Sequence, residues 1–480
     1  MNYDIIRKIL GIVTQFIGAF LVLPALCGLC YGEKQAIVYI ILAVVYFAIG
    51  KAVASIKLRN QAYYAREGLV IVGLSWIILS VLGAIPLVIT KDIPVFTDAL
   101  FETVSGFTTT GSSILSDVEA LSHTGLFWRS FTHWVGGMGV IVFILAVLPM
   151  TGGYNMNLMR AESPGPTVGK LVPRIKETAK ILYSIYFGIT VAEAILLVIA
   201  KMPLFDALCI AFGSAGTGGF GVRNDSCAGY TPLMQSIITV FIIMFGVNFN
   251  AYFFILRKKP GEVFKMSELK GYFGIIAFAI VTITINIRHM FPTLHDAFHH
   301  AAFQVGSIIT TTGFATADFD QWPQYSRALI VLIMFVGACA GSTGGGMKVS
   351  RVMIMFKTIY REIKKYLHPR AFTNVTMDGK TLDRGTLHSV SVYLSTYMIL
   401  FFLSILAITI FENFDLETVF TSVACTFNNI GPGLSKIGPT CNFSIMRPVT
   451  KYILMFDMLA GRLELYPMLI LLTPAAWKNA

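Results

Sequence analysis

Phe107-Thr-Thr-Thr-Gly111, Ala215-Gly-Thr-Gly-Gly219, Ile309-Thr-Thr-Thr-Gly313 and Phe427-Asn-Asn-Ile-Gly431 each break a strongly apolar stretch of this 480-residue chain. Every one is short, polar or glycine-bearing, and ends in glycine; the final glycines lie 108, 94 and 118 residues apart. Backbone this polar cannot face lipid, where unpaired N–H and C=O groups find no partner, and it survives at membrane depth where it lines an aqueous path. Four such segments predict a pore with four quasi-equivalent walls.

The approaches to these segments resemble one another. Pro94-Val-Phe-Thr-Asp98-Ala-Leu, Pro203-Leu-Phe-Asp206-Ala-Leu and Pro292-Thr-Leu-His-Asp296-Ala-Phe precede the first three, and Phe414-Asp415-Leu-Glu417 precedes the fourth without the proline. Proline and an acid suit a helix N-terminus, where the first N–H groups are free and the dipole is positive. The acids stand 13, 13, 17 and either 16 or 14 residues before the final glycines. Those spacings predict a half-membrane helix of two or three turns followed by a non-helical strand, with the third helix about one turn longer. The helix C-termini would then point negative dipole ends at the membrane centre and favour a cation there. Glycine lets successive carbonyls turn toward one axis, and a ring of carbonyls replaces the hydration shell of a potassium-sized cation. On this reading Thr109, Thr110 and Gly111, Thr217, Gly218 and Gly219, Thr311, Thr312 and Gly313, and Asn429, Ile430 and Gly431 hold K+. No charged side chain lies in the four segments, which argues against a carboxylate-ring filter.

Composition agrees with a membrane protein. The chain is 55% hydrophobic and only 13% charged, against about 25% charged in soluble domains, and its mean hydropathy is +0.70. Apolar stretches near 20 residues predict ten spans, near 9–31, 35–56, 68–90, 126–150, 180–200, 232–256, 271–291, 327–357, 390–411 and 449–472. The first follows Arg7 and Lys8, lacks a small-x-small cleavage site, and reads as a retained helix rather than a signal peptide. The two termini and every second loop carry 26 basic and 9 acidic residues, Glu67 included; the other loops and adjoining helix ends carry 10 and 14. Basic loops stay inside, so both termini are expected in the cytoplasm. The +11 formal charge is then a topology signal, and no nucleic-acid partner is implied. The seven cysteines are an odd number placed mostly in apolar runs, and Cys27 and Cys30 lack a second ligand pair, so no disulfide framework or metal site is implied.

The repeated helix–filter–helix pattern, the single filter glycine per repeat and two extra leading helices resemble the membrane subunits of the bacterial Trk potassium uptake family. The likeness covers essentially the whole chain. It implies an all-α membrane protein with four pseudo-symmetric repeats around a central pore: 1–65 two leading helices, 66–165, 166–268, 269–385 and 386–480 the repeats. Gly337-Ala-Cys-Ala-Gly-Ser-Thr-Gly-Gly-Gly346-Met-Lys348 is similar to the family's intramembrane gating loop, and Arg462 in Ala460-Gly-Arg462-Leu-Glu464 to its arginine below the filter. Gly341, Ser342, Thr343, Gly344, Gly345, Gly346, Lys348 and Arg462 are therefore the expected gate. Seven of the ten residues 337–346 are Gly, Ser or Thr, and glycine alone costs about 1 kcal/mol per helical position, so this helix should break. The resemblance further implies a homodimer in the inner membrane, a cytosolic nucleotide- and NAD-binding regulatory ring called TrkA, and no cofactor on this chain beyond K+ as the transported ion.

Other features have plainer readings. Residues 341–348 lack the Gly-Lys-Ser/Thr ending of a phosphate-binding loop. His295, His299 and His300 beside Asp296 have metal-ligand spacing but read as a polar cluster at the outer mouth. Glu193 and Asp457 are acids within spans, hence functional candidates or hydrogen-bonded packing groups. Asn248 and Asn250 read as helix-packing groups, and residues 163–166 as a cytoplasmic linker. A secondary transporter more often shows inverted repeats, whereas these four run in one direction. An intramembrane enzyme needs a nucleophile, base or metal cluster at one depth, and none is visible, so enzyme activity is not expected. Channel-like K+ translocation is the expectation, with proton- or sodium-coupled symport the alternative.

Overall fold

The computed structural model describes residues 1–55, 65–139, 175–370 and 373–477. Among these, the only strands form a hairpin that pairs Thr376 with Thr381 and Met377 with Lys380; everything else regular is helix. Among the described residues, six helices are long and apolar enough to cross a membrane, and a bent pair makes a seventh. The linker 163–166 and the boundary expected at 165–166 lie outside the described residues.

Three helices lead the chain: α1 (Tyr3–Phe20), α2 (Val22–Cys30) and α3 (Gln35–Ala54). Glycines bring α1 and α3 into backbone contact, since a Cβ on Gly50 would lie 2.5 Å from the Gly11 carbonyl oxygen and one on Gly18 2.8 Å from that of Ala43. Such small-residue contacts replace the missing hydrophobic drive between helices in lipid. The outward side of α3, with Ile37, Ile41, Val44 and Phe47 exposed, is apolar because its solvent is hydrocarbon. Glu33 fastens this unit to the first repeat: its carboxylate accepts the amides of His123 at 2.7 Å and Thr124 at 2.9 Å. Burial alone would raise the Glu33 carboxyl, but the hydrogen bonds from Thr124 and His123 hold it below the usual carboxylate range.

Repeat one comprises α4 (Ala65–Ile89), α5 (Phe96–Phe107) and α6 (His123–Gly137); repeat two α7 (Ile175–Ile199), α8 (Leu204–Gly216), α9 (Pro232–Phe245) and α10 (Phe249–Leu256). Repeat three comprises α11 (Ser267–Ile287), α12 (Leu294–Ile309), α13 (Gln324–Val336) and α14 (Val349–Leu367); repeat four α15 (Arg384–Phe411), α16 (Leu416–Phe427), α17 (Pro448–Arg462) and α18 (Tyr466–Leu472). The short pore helices α5, α8, α12 and α16 are the buried centre. They run 12, 13, 16 and 12 residues, so the third carries the extra turn that its acid-to-glycine spacing predicts.

The second helix of a repeat is less continuous than the hydropathy suggests. Residue 337 ends α13 as expected, but the spans 232–256 and 449–472 are also broken. The axes of α9 and α10 meet at 93°, and Asn248 is not a packing group: its side chain accepts the Asn250 amide at 3.0 Å and caps α10. In repeat four the break falls after Arg462, where Glu464 and Leu465 take φ of 60° and 68°. Apolar composition alone does not reveal these breaks. The first is satisfied by repeat three, where Cys339 and Gly341 pair with Gly246 and Phe249, and the second within its own repeat, where the Leu465 amide donates to the Ala460 carbonyl at 2.8 Å. Of the span 126–150, residues 140–150 lie outside the described residues.

Candidate ion-conduction site

All four polar segments leave their pore helices by the same turn. Thr109, Thr217, Thr311 and Asn429 take φ of 56°, 54°, 61° and 56°, and Gly111, Gly219, Gly313 and Gly431 take 81°, 79°, 86° and 99°. In each repeat the amide after the first left-handed residue donates to a carbonyl five residues back at 2.8 Å: Thr110 to Ser105, Gly218 to Gly213, Thr312 to Ser307 and Ile430 to Cys425. This is a Schellman-type helix end. Its left-handed position usually belongs to glycine, so three threonines and an asparagine persist there because the surroundings impose the conformation.

Contacts between the segments close a ring. A Cβ on Gly111 would lie 2.1 Å from the Gly218 carbonyl oxygen, on Gly219 2.0 Å from that of Thr312, on Gly313 2.0 Å from that of Ile430, and on Gly431 2.9 Å from that of Thr110. Repeat one thus touches two, two touches three, three touches four, and four returns to one. The last seam is also bridged by Ser112 Oγ, which donates to the Gly431 carbonyl at 3.1 Å, and Asn429 Nδ2, which donates to Thr110 Oγ1 at 2.9 Å. The four final glycines together line one cavity of about 130 Å³.

Segment 337–348 lies directly against the ring. A Cβ on Gly344 would meet the Thr310 carbonyl oxygen at 2.8 Å, and one on Gly345 that of Asn428 at 2.7 Å. The Gly345 amide donates to Thr311 Oγ1 at 2.6 Å, so a side chain of the ring holds the loop. The break between α9 and α10 receives it too: the Cys339 amide donates to the Gly246 carbonyl and the Phe249 amide to that of Gly341, both at 3.0 Å. Buried Lys348 donates to the carbonyls of Gly344 and Gly345. Arg462 reaches across from α17 and donates to the carbonyls of Thr343 at 2.8 Å, Gly136 at 2.6 Å and Gly137 at 2.9 Å. A second cavity, of about 100 Å³, is lined by Gly341, Ser342, Gly344, Gly345, Gly346, Lys348 and Arg462. The eight residues expected at a gate therefore meet in one place.

The sequence model of the TrkH family, described as a cation transport protein, matches residues 35–288 and 275–478. This chain belongs to the TrkH family. It is 37% identical to the Trk system potassium uptake protein TrkH of Salmonella typhimurium, each chain covered completely. It is 32% identical to TrkG of Escherichia coli strain K12 over 99% of both. The crystal structure of the potassium transporter TrkH from Vibrio parahaemolyticus matches with a TM-score of 0.89 at 32% identity, over 100% of both chains. The fold is thus that of a multi-pass TrkH-family membrane protein, and its relatives are named as transport proteins rather than enzymes.

Several residues that position this TrkH-family ring escape a motif search. Buried Arg129 and Glu102 form an ion pair; Arg129 donates to the Gly221 carbonyl at 2.8 Å, and Glu102 accepts the Ile114 amide at 3.0 Å. The pair therefore ties together the segments that follow Gly111 and Gly219. His133 Nδ1–H donates to the Gly106 carbonyl at 2.8 Å, which leaves Nε2 to accept the Phe220 amide at 3.2 Å. Their sequence signal was only a charge or imidazole inside an apolar stretch. Arg129→Ala strands a buried carboxylate and should cost about 3–5 kcal/mol, which thermal unfolding in detergent would register as a large loss of stability.

Glu268, at the start of α11, was equally invisible. Its carboxylate accepts the Ala340 amide at 2.7 Å and the Ser350 amide at 3.1 Å, clamping both ends of the loop. Glu268→Ala is expected to raise loop proteolysis or spin-label mobility while leaving the filter ring intact; unchanged loop dynamics would contradict a clamping role.

Most of the remaining candidates have protein partners. Lys451 bonds Asp98 at 2.7 Å, Arg223 bonds Asp206 at 3.2 Å and Arg327 bonds Glu417 at 2.6 Å, so three pore-helix acids also join structural elements. His299 Nε2 meets Gln235 Oε1 at 2.8 Å and His300 Nδ1 meets Thr316 Oγ1 at 3.0 Å. Among the described residues no group of three or more His, Cys, Asp or Glu is placed to hold a metal. Asp457 accepts from Ser404 Oγ at 2.7 Å, and Glu193 is fully buried on α7.

Proposed function

We propose that this chain carries K+ across the inner membrane through the four-segment ring, in the manner of a channel, for potassium uptake. The closed chain of glycine-to-carbonyl contacts supports this reading most strongly. A ring of four like segments at helix C-termini can replace the hydration shell of one dehydrated cation. Thr109 to Gly111, Thr217 to Gly219, Thr311 to Gly313 and Asn429 to Gly431 supply its carbonyls, and the dipoles of the four pore helices favour its charge. K+ is substrate here and no resident cofactor is required.

The loop at Gly341, Ser342, Thr343, Gly344, Gly345 and Gly346 obstructs the path under the ring, with Lys348 and Arg462 adding positive charge that opposes K+. Opening requires the loop to leave Thr311 and the α9–α10 break. Basic α14 begins directly after Lys348, so a force on that helix reaches the loop. A cytosolic nucleotide-binding ring of the TrkA kind, acting on a homodimer of this subunit, fits that connection, and both termini lie in the cytoplasm. Nucleotide then acts through the ring and not on this chain. Fully buried Glu193 and Asp457 favour one second reading, proton-coupled symport, because ionisable groups at bilayer depth are costly and retained for function. K+ flux into vesicles containing this chain with the loop shortened within 341–346, with and without an imposed pH gradient, tests the proposal. Flux driven by the K+ gradient alone supports a channel, and flux that requires the pH gradient supports symport.

A further inference from the structure

A cavity of about 550 Å³ lies between α2, α6, α7 and α8, on the outer side of the second pore helix. Leu23, Phe131, Trp134, Leu204 and Phe212 line it together with a stripe of α7 between residues 187 and 199. The polar atoms in its wall already serve each other: Trp134 Nε1–H donates to Thr190 Oγ1 at 3.3 Å, and that hydroxyl donates to the Tyr186 carbonyl at 2.8 Å. Water has no partner left there, so the occupant is hydrocarbon.

Dimensions narrow the choice. The stripe 187–199 rises about 18 Å along its helix, close to the roughly 15 Å depth of one leaflet's hydrocarbon. Spread over that length, about 550 Å³ makes a long, narrow slot. Its shape suits one extended chain better than a helix about 10 Å across. At the end nearest the start of α8, Ile199 and Leu204 line the cavity and Lys201, between them in sequence, is exposed. A lysine at that rim suits a lipid phosphate.

We propose that this crevice binds one acyl chain of an anionic phospholipid, with the headgroup phosphate against Lys201. The seat backs on the ring. Phe131 stacks on Trp134 with centroids 5.7 Å apart and meets Phe212 of the pore helix edge-on at 5.6 Å. The neighbouring His133 holds Gly106 and Phe220 on either side of two filter segments. A chain in the crevice supports the aromatic wall from which those anchors hang.

Quenching of Trp134 by bromine on lipid acyl chains tests this with the full chain in phosphatidylcholine vesicles. The Trp134 signal is the difference between the wild type and Trp134→Phe. Bromine-labelled phosphatidylglycerol should quench it at roughly fivefold lower mole fraction than bromine-labelled phosphatidylcholine, the worth of one lysine near an anionic headgroup. Lys201→Gln should abolish that preference, and Ala194→Phe, which fills the crevice, should weaken quenching by both lipids. Val198→Phe on the exposed part of the stripe serves if Ala194→Phe does not fold. Equal quenching by the two lipids in the wild type would overturn the anionic seat. Quenching unchanged by the filled crevice, or replaced by cross-links to a second copy through this face, would overturn the crevice as its location.

Discussion

Alanine at Gly111, Gly219 or Gly313 is expected to lower K+/Na+ discrimination by at least an order of magnitude. At each position a Cβ would sit 2.0–2.1 Å from the carbonyl oxygen of the next repeat, well inside any tolerable contact. The left-handed backbone adds about 1–2 kcal/mol of strain for a residue with a side chain. The displaced atom belongs to the proposed ion ligands themselves, so relief of the clash is paid in selectivity, where about 1.4 kcal/mol is tenfold. Serine at Gly111 or Gly313 should act in the same direction. Gly431 has more room, at 2.9 Å, so Gly431→Ala should be the mildest of the four despite its φ of 99°. Bi-ionic flux measurements on inserted protein give the ranking; four equal effects, or none, would separate selectivity from this ring.

Arg462→Ala should raise basal K+ flux about ten- to a hundredfold without any regulatory partner. The guanidinium makes three hydrogen bonds, to Thr343 on the loop and to Gly136 and Gly137 at the end of α6. Hydrogen bonds from charged donors are worth about 1.5–3 kcal/mol each, and losing one to the loop alone favours the open arrangement by roughly that amount. The same substitution removes positive charge from the passage, so stability and electrostatics act in one direction. Shortening the loop within 341–346 should mimic it. Flux that stays at the closed level in folded variants of both kinds would place the gate elsewhere.

The chain's polar interruptions made the fourfold plan legible, because membrane-depth polar backbone has few explanations and the glycines mark where a Cβ cannot fit. The acid-to-glycine spacing even carried the longer third pore helix. The loop at 337–348 was legible because its composition cannot hold a helix. The breaks after Phe245 and Arg462 were not: the first is completed by backbone partners at residues 339 and 341 of another repeat, and the second turns on a local bond from the Leu465 amide to the Ala460 carbonyl that leaves little trace in composition. Asn248 was misjudged for that reason: a cap and a packing asparagine look alike until the helix is known to end. Glu102, Arg129, His133 and Glu268 work through partners distant in sequence, and no single-sequence pattern pairs them. Asp98, Asp206 and Glu417 were read as helix-start acids, and the structure adds a cation to each.

If these four segments form one K+-selective conduit, the reversal potential must show it. Protein with a shortened gating loop, reconstituted in planar bilayers, is exposed to opposing K+ and Na+ gradients and then to a pH gradient alone. A K+ conduit through the ring gives a reversal potential that tracks the K+ gradient, shifts toward zero in the Gly313→Ser variant, and ignores pH. A potential that follows the proton or sodium gradient, or that is indifferent to Gly313→Ser, would contradict it.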